Sequence, residues 1–239
     1  MNIITRNLPC LRYRVKCLIG RDILVRPEIG IETERYGGLY SSWATPKGQV
    51  NRESVIYSFG VGEDASWDLG LISKHECEIH AFDPTPRSKA WIRENIADPR
   101  FIHHDHALSD QDGTLDLWLP LNADHVSATC GPSARTSGER VTVSCRTLSS
   151  LMRDLGHDRI DVLKMDIEGA EYRVIRSLEA DAALASKIDT ILIEFHHWMP
   201  PFSMPDTHSA LASLRKLGYR IGWVSETGHE LMFTRPEKL

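Results

Sequence analysis

The sequence predicts an α/β fold with a mostly parallel, Rossmann-like sheet, a closing antiparallel hairpin and helices on both faces. Short apolar runs alternate with segments of helical period along most of the 239 residues, which is typical of a parallel sheet built from βαβ units. Runs such as 161–165 are almost continuously apolar, as expected for strands covered on both faces. The last two runs, 220–225 and 230–234, are joined through Gly228 and indicate the hairpin.

The length and composition are those of one globular domain. A chain of 239 residues with 41% hydrophobic and 26% charged residues can form one substantial core. We assign residues 51–239 to this domain and residues 1–50 to an extension that is partly basic and could cover a ligand site. The net charge of -5 gives no general attraction to nucleic acid. The basic arm before residue 27 could contact an anionic partner or a membrane surface, although a solvated face is the commoner explanation.

The cellular compartment is predicted from the cysteines and the apolar runs. Arg12, Arg14 and Lys16 interrupt the first apolar residues and leave no signal-peptide core. No run approaches the roughly 20 apolar residues that cross a bilayer. The five cysteines are odd in number and contain no CxxC pair, so we expect a reduced, cytoplasmic protein without a disulfide framework or a transmembrane segment.

The first predicted strands each end in residues suited to ligand binding. The run 54–59 ends at Gly60-Val61-Gly62, and a helix bearing Trp67 follows. The run 78–82 ends at Asp83-Pro84, after which Thr85 is placed as a helix N-cap with Pro86 at the first helical position. A third strand is expected at 101–104.

The second half of the chain continues the alternation. Strands are expected at 114–119 and 140–145, separated by a Ser/Gly/Pro-rich loop over 122–138 that is a candidate substrate-facing insertion. Thr147 begins a helix that Gly156 ends. A strand at 161–165, a helix, a strand at 190–195 and a helix over 206–217 then follow.

The first candidate site combines the glycine turn with Asp83. Glycines after a strand allow a ligand to approach the backbone, and the next helix offers free N–H groups. A carboxylate about 20 residues further on can hold the two hydroxyls of a ribose. The pattern Gly60-x-Gly62-x-x-Ala65 also fits a dinucleotide fingerprint, so these residues alone do not separate NAD from S-adenosylmethionine.

The second candidate site is the run from Lys164 to Glu171, which carries Asp166 and Glu168. These carboxylates follow a buried strand and are favourable neighbours for a cationic sulfonium cofactor. We expect Asp166 and Glu168 to diverge in direction if the strand geometry persists through them. We interpret Glu171 as a structural residue that faces the helix dipole.

The third candidate site is the run from Glu194 to Trp198. A histidine can take a proton from an acceptor hydroxyl, and period two places His196 and Glu194 on the same face. Together with Asp166 they could alternatively hold a divalent metal.

We read His103-His104-Asp105-His106 mainly as a strand end, with His106 and Ala107 near an adenine. The aromatic residues of the extension could cover a ligand, although packing on the sheet is favoured; they are Tyr36, Tyr40 and Trp43.

Taken together, these motifs resemble the FkbM-type methyltransferases, in particular the methyltransferase-like group whose first motif reads Tyr-Ser-Phe-Gly. The matching pieces are YSFGVGEDASWD from Tyr57, HAFDPTP from His80, HVS from His125, the stretch 146–171 with KMDIEGAE, and IEFHHW from Ile193. The resemblance implies a class I methyltransferase fold, S-adenosylmethionine as methyl donor, and O-methylation of a small molecule or saccharide.

The resemblance also implies roles for individual residues. Asp166 and Glu168 are expected to face the reaction centre, with His196 or Glu168 as the base. The expected cofactor-binding residues are Ser58, Phe59, Gly60, Gly62, Asp83, Pro84, Thr85, His106, Ala107 and Asp166. Ser58 stands where many methyltransferases have an acidic residue, so the amino group of the cofactor must be held differently, for example by Asp166. An NAD-dependent oxidoreductase and a non-catalytic cofactor-binding scaffold are the alternatives.

Overall fold

The computed structural model describes residues 8–38, 42–121, 129, 131 and 136–238. The strands are β1 (Thr33–Tyr36), β2 (Trp43–Pro46), β3 (Ile56–Phe59), β4 (Ile79–Phe82), β5 (Phe101–His104), β6 (Ala107–Leu108), β7 (Gly113–Pro120), β8 (Thr136–Arg146), β9 (Ile160–Met165), β10 (Ile188–Glu194), β11 (Arg220–Val224) and β12 (Glu230–Thr234). The helices are α1 (Leu8–Leu18), α2 (Ser66–His75), α3 (Pro86–Asn95), α4 (Leu148–Leu155), α5 (Glu171–Ala180), α6 (Ala182–Ala185) and α7 (Met204–Lys216), followed by a 3-10 turn (Pro236–Lys238).

A seven-stranded sheet in the order β5-β4-β3-β9-β10-β12-β11 forms the centre of the protein. The first five of these strands are parallel, whereas β12 is antiparallel to both β10 and β11. This arrangement confirms the predicted α/β class: a Rossmann-like sheet of the class I methyltransferase type, closed by a hairpin. The observed strands begin and end within a few residues of the predicted ones.

Helices cover both faces because the buried strands present apolar side chains in both directions. Tyr57 and Phe59 of β3 pack with α4, α5 and α7, whereas Ile56 packs with α2 and α3 on the other face. Thr147 caps α4 by accepting a hydrogen bond from the Ser150 amide, and Gly156 ends that helix in the left-handed conformation. The predicted start and end of this helix are therefore confirmed.

Two parts of the fold lie outside the predicted single sheet. β7 and β8 pair with β6 in a separate three-stranded sheet, and β8 begins inside the predicted 122–138 loop. Most of that loop, including the HVS motif, lies outside the described residues, as does Tyr40.

The β1–β2 hairpin is a second addition. Its Tyr36 packs over Gly70 of α2, and Trp43 is almost fully buried. Both aromatic residues are therefore packed, as predicted, although Tyr36 lies on a helix and not on the sheet.

Candidate functional site

The register of the parallel strands brings the candidate residues to one edge of the sheet. Phe59, the last residue of β3, lies opposite Phe82 of β4. The Gly60 amide donates to the Phe82 carbonyl (3.0 Å), and the Asp166 amide donates to the Phe59 carbonyl (3.1 Å). Gly60, Asp83 and Asp166 therefore follow three adjacent strands, at the carboxyl edge where open α/β sheets bind ligands.

A cleft of about 740 Å³, a volume that includes its open mouth, lies at this edge. Ala107, Leu108, Leu115 and Leu117 supply an apolar wall from β6 and β7. The other lining residues are Phe59, Gly60, Val61, Gly62, Phe82, Asp83, Pro84, Thr85, Asp166, Ile167, Glu168 and Ala170.

Most of the predicted cofactor-binding residues line this cleft, but Ser58 and His106 are not among the described lining residues. Ser58 is fully buried and points to the α2 face of the sheet, where it is the register partner of Lys164. Nδ1 of His106 lies 3.0 Å from the Ser144 hydroxyl. Neither position gives direct support for a cofactor contact.

Gly60 allows the closest backbone approach in the site. Its φ of +83° lies in the left-handed region, and a Cβ there would come within 1.8 Å of the Asp166 carbonyl oxygen. Only glycine accommodates both conditions without strain. The turn after β3 therefore packs directly against the turn after β9.

Asp83 binds the glycine turn with one carboxylate oxygen and Thr85 with the other. Oδ2 accepts hydrogen bonds from the Val61 amide (3.1 Å), the Gly62 amide (2.9 Å) and the Ser88 hydroxyl (2.8 Å). Oδ1 accepts from the amide (3.0 Å) and hydroxyl (2.7 Å) of Thr85. Thr85 is the N-cap of α3 and Pro86 follows it, as predicted, but the Thr85 hydroxyl donates to Asp83 and caps no helix amide.

The carboxylates after β9 converge rather than diverge. The predicted divergence is wrong, because residues two apart on a strand share a face; β9 in addition ends at Met165, before either residue. Glu168 adopts φ +53°, an uncommon and strained conformation for a residue other than glycine. Both side chains approach Nε2 of His196, at 3.7 Å for Asp166 and 3.5 Å for Glu168.

Glu171 fixes the position of His196, a role that our sequence interpretation missed. This fully buried residue accepts hydrogen bonds from the His196 amide (2.9 Å) and the Gly169 amide (2.8 Å). Its Oε1 also lies 3.3 Å from Nδ1 of His196. The carboxylate thus joins the turn after β9 to the end of β10 and orients the imidazole, besides facing the dipole of α5.

The carboxylates around His196 raise its pKa. Burial by itself lowers the pKa of His196, but the Glu171, Glu168 and Glu194 carboxylates outweigh that effect and raise it well above the usual value. Burial also raises the pKa of Glu194, and the negative charge of Asp166 adds to that increase. The cluster therefore retains protons that isolated groups would release.

The same residues offer a possible set of metal ligands. Asp166, Glu194 and His196 each present one ligand atom, and these atoms lie within 4.8 Å of one another. Oxygen and imidazole ligands of this kind suit several divalent cations.

A second polar group lies on the α2 face, next to the glycine turn. Lys164 is buried, donates a hydrogen bond to the Gly60 carbonyl (3.1 Å) and lies over the Trp43 ring. Asp68 is also buried, and among the described residues its Oδ1 has no hydrogen-bond partner. Burial raises the pKa of Asp68, while the Lys164 ammonium and the Ser58 hydroxyl oppose the increase. The sequence offered no signal for this pair, because their proximity depends on tertiary structure.

The residues before β1 are attached to the same edge of the sheet. The buried Asp22 accepts a hydrogen bond from the Ile23 amide, and its two oxygens lie 3.3 Å from His197 Nε2 and 2.9 Å from His229 Nε2. The Tyr13 ring of α1 meets the His229 ring edge-on. These contacts hold α1 against the turn that precedes β12.

Comparison with known proteins identifies related sequences. The protein-family model for the methyltransferase FkbM domain matches residues 57–221 of this chain. Two proteins named probable methyltransferase-like protein 24, from Rattus norvegicus and Homo sapiens, are 27% and 28% identical to this chain over 161 and 163 residues. The alignments cover 67% of this chain but only 38% and 37% of those proteins, so the chain spans less than two-fifths of the length of these relatives.

A third relative and one solved structure are more distant. The 2-O-methyltransferase NoeI of Sinorhizobium fredii is 25% identical over 138 residues, which is 52% of this chain and 56% of that protein. A crystal structure of methyltransferase FkbM from Methylobacillus flagellatus matches 77% of this chain and 44% of its own, with a TM-score of 0.47 and 13% identity.

Proposed function

Because the chain belongs to the FkbM methyltransferase family, we propose that it transfers a methyl group from S-adenosylmethionine to a hydroxyl oxygen of a small molecule or saccharide. The observation that carries the proposal is the polar part of the cleft, where Asp166 and Glu168 line the cavity and both lie within 3.7 Å of His196 Nε2. A hydroxyl acceptor is supported by the relative named as a 2-O-methyltransferase.

The residues of the cleft fit S-adenosylmethionine. Gly60, Val61 and Gly62 line the cleft, so a ligand there lies against the backbone of the glycine turn. The aliphatic wall from β6 and β7 suits an adenine ring, and the carboxylates of Asp166 and Glu168 suit a positive charge. When bound, this cofactor supplies an electrophilic methyl group on a cationic sulfur.

His196 is the proposed base. In the neutral imidazole, a proton on Nδ1 can be donated to Glu171, which leaves the lone pair of Nε2 to accept the hydroxyl proton. A cation near Asp166 and Glu168 offsets their negative field and so lowers the pKa of His196 towards neutrality. Glu168 is the alternative base, since it lines the cleft, whereas the buried His196 is not among the described lining residues and lies 3.5 Å behind Glu168.

The proposal is tested first by ligand binding and then by transfer. We expect calorimetric titration to show binding of S-adenosylmethionine and S-adenosylhomocysteine and no binding of NAD. We then expect a labelled methyl group to pass from the donor to members of a panel of hydroxyl-bearing sugars and small molecules. If neither S-adenosylmethionine nor S-adenosylhomocysteine binds, the proposal is contradicted, and binding of NAD favours an oxidoreductase. Tight binding without transfer to any acceptor favours a non-catalytic scaffold.

Replacing Asp83 is expected to weaken cofactor binding strongly. We propose that the Thr85 hydroxyl gives up its place at Oδ1 to a ribose hydroxyl, because it is the partner that can rotate away. Hydrogen bonds to a charged group contribute about 1.5–3 kcal/mol each, so Asp83→Ala should lower the affinity for S-adenosylhomocysteine about 100-fold. Isothermal titration calorimetry measures the change.

An analogue without the ribose hydroxyls separates this contact from the support that Asp83 gives to the glycine turn. We expect Asp83→Ala to cost much less affinity for 2′,3′-dideoxy-S-adenosylhomocysteine than for the parent compound. Equal losses for both ligands would limit Asp83 to organising the amides of Val61 and Gly62. Ser88→Ala removes one hydrogen bond to the same carboxylate and is the matched control.

The activity should depend on pH through His196. The pKa of His196 is raised, so the neutral imidazole that can act as a base is populated only as the pH rises. We therefore expect kcat/KM of the wild-type enzyme to decrease as the pH falls below a pKa that lies above 6.5. His196→Gln should lower kcat about 100-fold or more and abolish this decrease at low pH, the acid limb of the profile, while binding of S-adenosylhomocysteine is retained. Initial rates across a pH series measure both effects.

Two results would reassign His196. If His196→Gln keeps both its rate and the acid limb, then Glu168 becomes the base. If a chelator abolishes the wild-type activity and Mg²⁺ or Mn²⁺ restores it, then the cluster of Asp166, Glu194 and His196 acts as a metal site.

A further inference from the structure

Helix α1 turns an apolar stripe towards solvent. Leu11, Val15 and Leu18 follow one another at helical spacing on one side of the helix, and their exposed fractions are 62%, 47% and 85%. Ile19 continues the stripe and is 58% exposed. Large apolar side chains are usually buried, so four exposed ones in a contiguous row indicate a surface that contacts something else.

The opposite side of α1 is the side that contacts the protein. Tyr13 is buried, and its hydroxyl donates to the Ile23 carbonyl (2.7 Å) and accepts from the Val25 amide (2.9 Å). A Cβ on Gly228 would come within 2.1 Å of the Tyr13 ring, which shows how closely the helix is seated. The apolar stripe is therefore not the side on which α1 attaches to the domain.

Exposed cations flank the stripe. On a helical projection, Arg12 and Lys16 border one side of it and Arg14 borders the other, and all three are exposed. Among residues 8–27 the sole acidic residue is Asp22, which is buried against two histidines. This helix is thus locally cationic in a chain whose net charge is -5.

We propose that α1 lies in the surface of an anionic lipid bilayer, with the stripe of Leu11, Val15, Leu18 and Ile19 among the acyl chains. Apolar residues on one side, with arginine and lysine at the border, are the features of helices that bind in the plane of a membrane interface. A second copy of the chain fits less well, because pairing through the stripe would bring like charges together. No helix in the described part of the chain could span a bilayer, and none is required for such docking.

This docking does not depend on methyl transfer. Because α1 is seated on the turn before β12, which also contacts His197 and Trp198, docking would bring the edge of the sheet that carries the cleft towards the lipid surface. Binding to the membrane and binding of the cofactor can be measured separately in the same protein.

The test is co-sedimentation of the full chain with vesicles. We expect binding to vesicles of phosphatidylglycerol mixed with phosphatidylcholine, weaker binding at high salt, and little binding to phosphatidylcholine alone. Leu18→Ser should lower the partition coefficient about tenfold, because it removes a side chain from the acyl region. Arg14→Gln should lower it about fivefold, the effect of one basic residue at an anionic surface.

Matched variants elsewhere on the surface control for the chemistry of each change. Leu121→Ser removes another exposed leucine (68% exposed), and Lys187→Gln removes another exposed cation; neither should alter the partition coefficient. All four changes are at exposed residues, and unchanged melting temperatures verify the fold. Equal binding to both types of vesicle, or equal losses in the test and control variants, overturns the proposal. So does a wild-type dimer that Leu18→Ser converts to a monomer and that does not bind vesicles.

Discussion

Gly60→Ala should destabilise the protein and abolish cofactor binding. The added Cβ would lie 1.8 Å from the Asp166 carbonyl oxygen, and the residue would have to keep a φ of +83°. Left-handed strain and overpacking each cost about 1–3 kcal/mol, so we expect a combined loss of about 3 kcal/mol or more in the free energy of unfolding. Relief of the clash requires the turns after β3 and β9 to move apart, which distorts the cleft. Urea denaturation and calorimetry with S-adenosylhomocysteine measure the two effects.

Gly156→Ala is the matched control. Gly156 also has a positive φ, of +73°, but a Cβ at this position would meet no atom within 4 Å. We therefore expect Gly156→Ala to lower the free energy of unfolding by only about 1 kcal/mol, the cost of the backbone strain, with cofactor affinity unchanged. If the two variants lose equal stability and both still bind, then the contact between Gly60 and Asp166 has no role in shaping the cleft.

Glu171→Ala is expected to have the second large effect. The substitution leaves the buried amides of Gly169 and His196 without an acceptor and removes the carboxylate beside Nδ1. Breaking a buried charged group of this kind costs about 3–5 kcal/mol. Because Glu171 acts through His196, we regard it as a positioning residue, and stability alone does not test that role.

Glu171→Gln tests the positioning role more directly. The amide keeps one oxygen acceptor but loses the negative charge that raises the pKa of His196, so the acid limb of kcat/KM should move to lower pH. Glu179→Gln, on the same helix but in a half-exposed contact with Ser213 and Lys216, should change stability by less than about 1 kcal/mol and leave the limb in place. An unshifted limb in Glu171→Gln would reduce Glu171 to a structural residue.

The succession of strands and helices along the chain, and the edge of the sheet where the candidate residues meet, were predictable because both depend on local patterns. Apolar runs that end in Gly60, Asp83 and Asp166 mark the carboxyl ends of strands in the sequence itself, and parallel strands bring such ends to one edge. Thr147 and Gly156 identify a helix for the same reason, since capping involves neighbouring residues.

The features that escaped prediction depend on contacts between distant residues. The Gly60 carbonyl accepts from Lys164, 104 residues away, and a lysine inside an apolar run gives no sign of that partner. Glu171 occupies an ordinary first-turn position, and its role appears only when the end of β10 is placed beside it. Asp166 and Glu168 lie in the turn after β9, and their convergence depends on His196, which comes from the end of another strand. Helix α1 was missed because its apolar face does not contact the core.

The hydrogen bonds of Asp83 have a consequence for how a ligand associates. The amides of Val61 and Gly62 are held by a carboxylate of the protein itself, so the turn that faces the cleft is ordered by folding and not by the ligand. Association at this turn therefore requires little additional loss of backbone conformational entropy. The cleft should behave as a rigid receptor on this side, with a free energy of binding that reflects contacts and desolvation rather than the ordering of a loop.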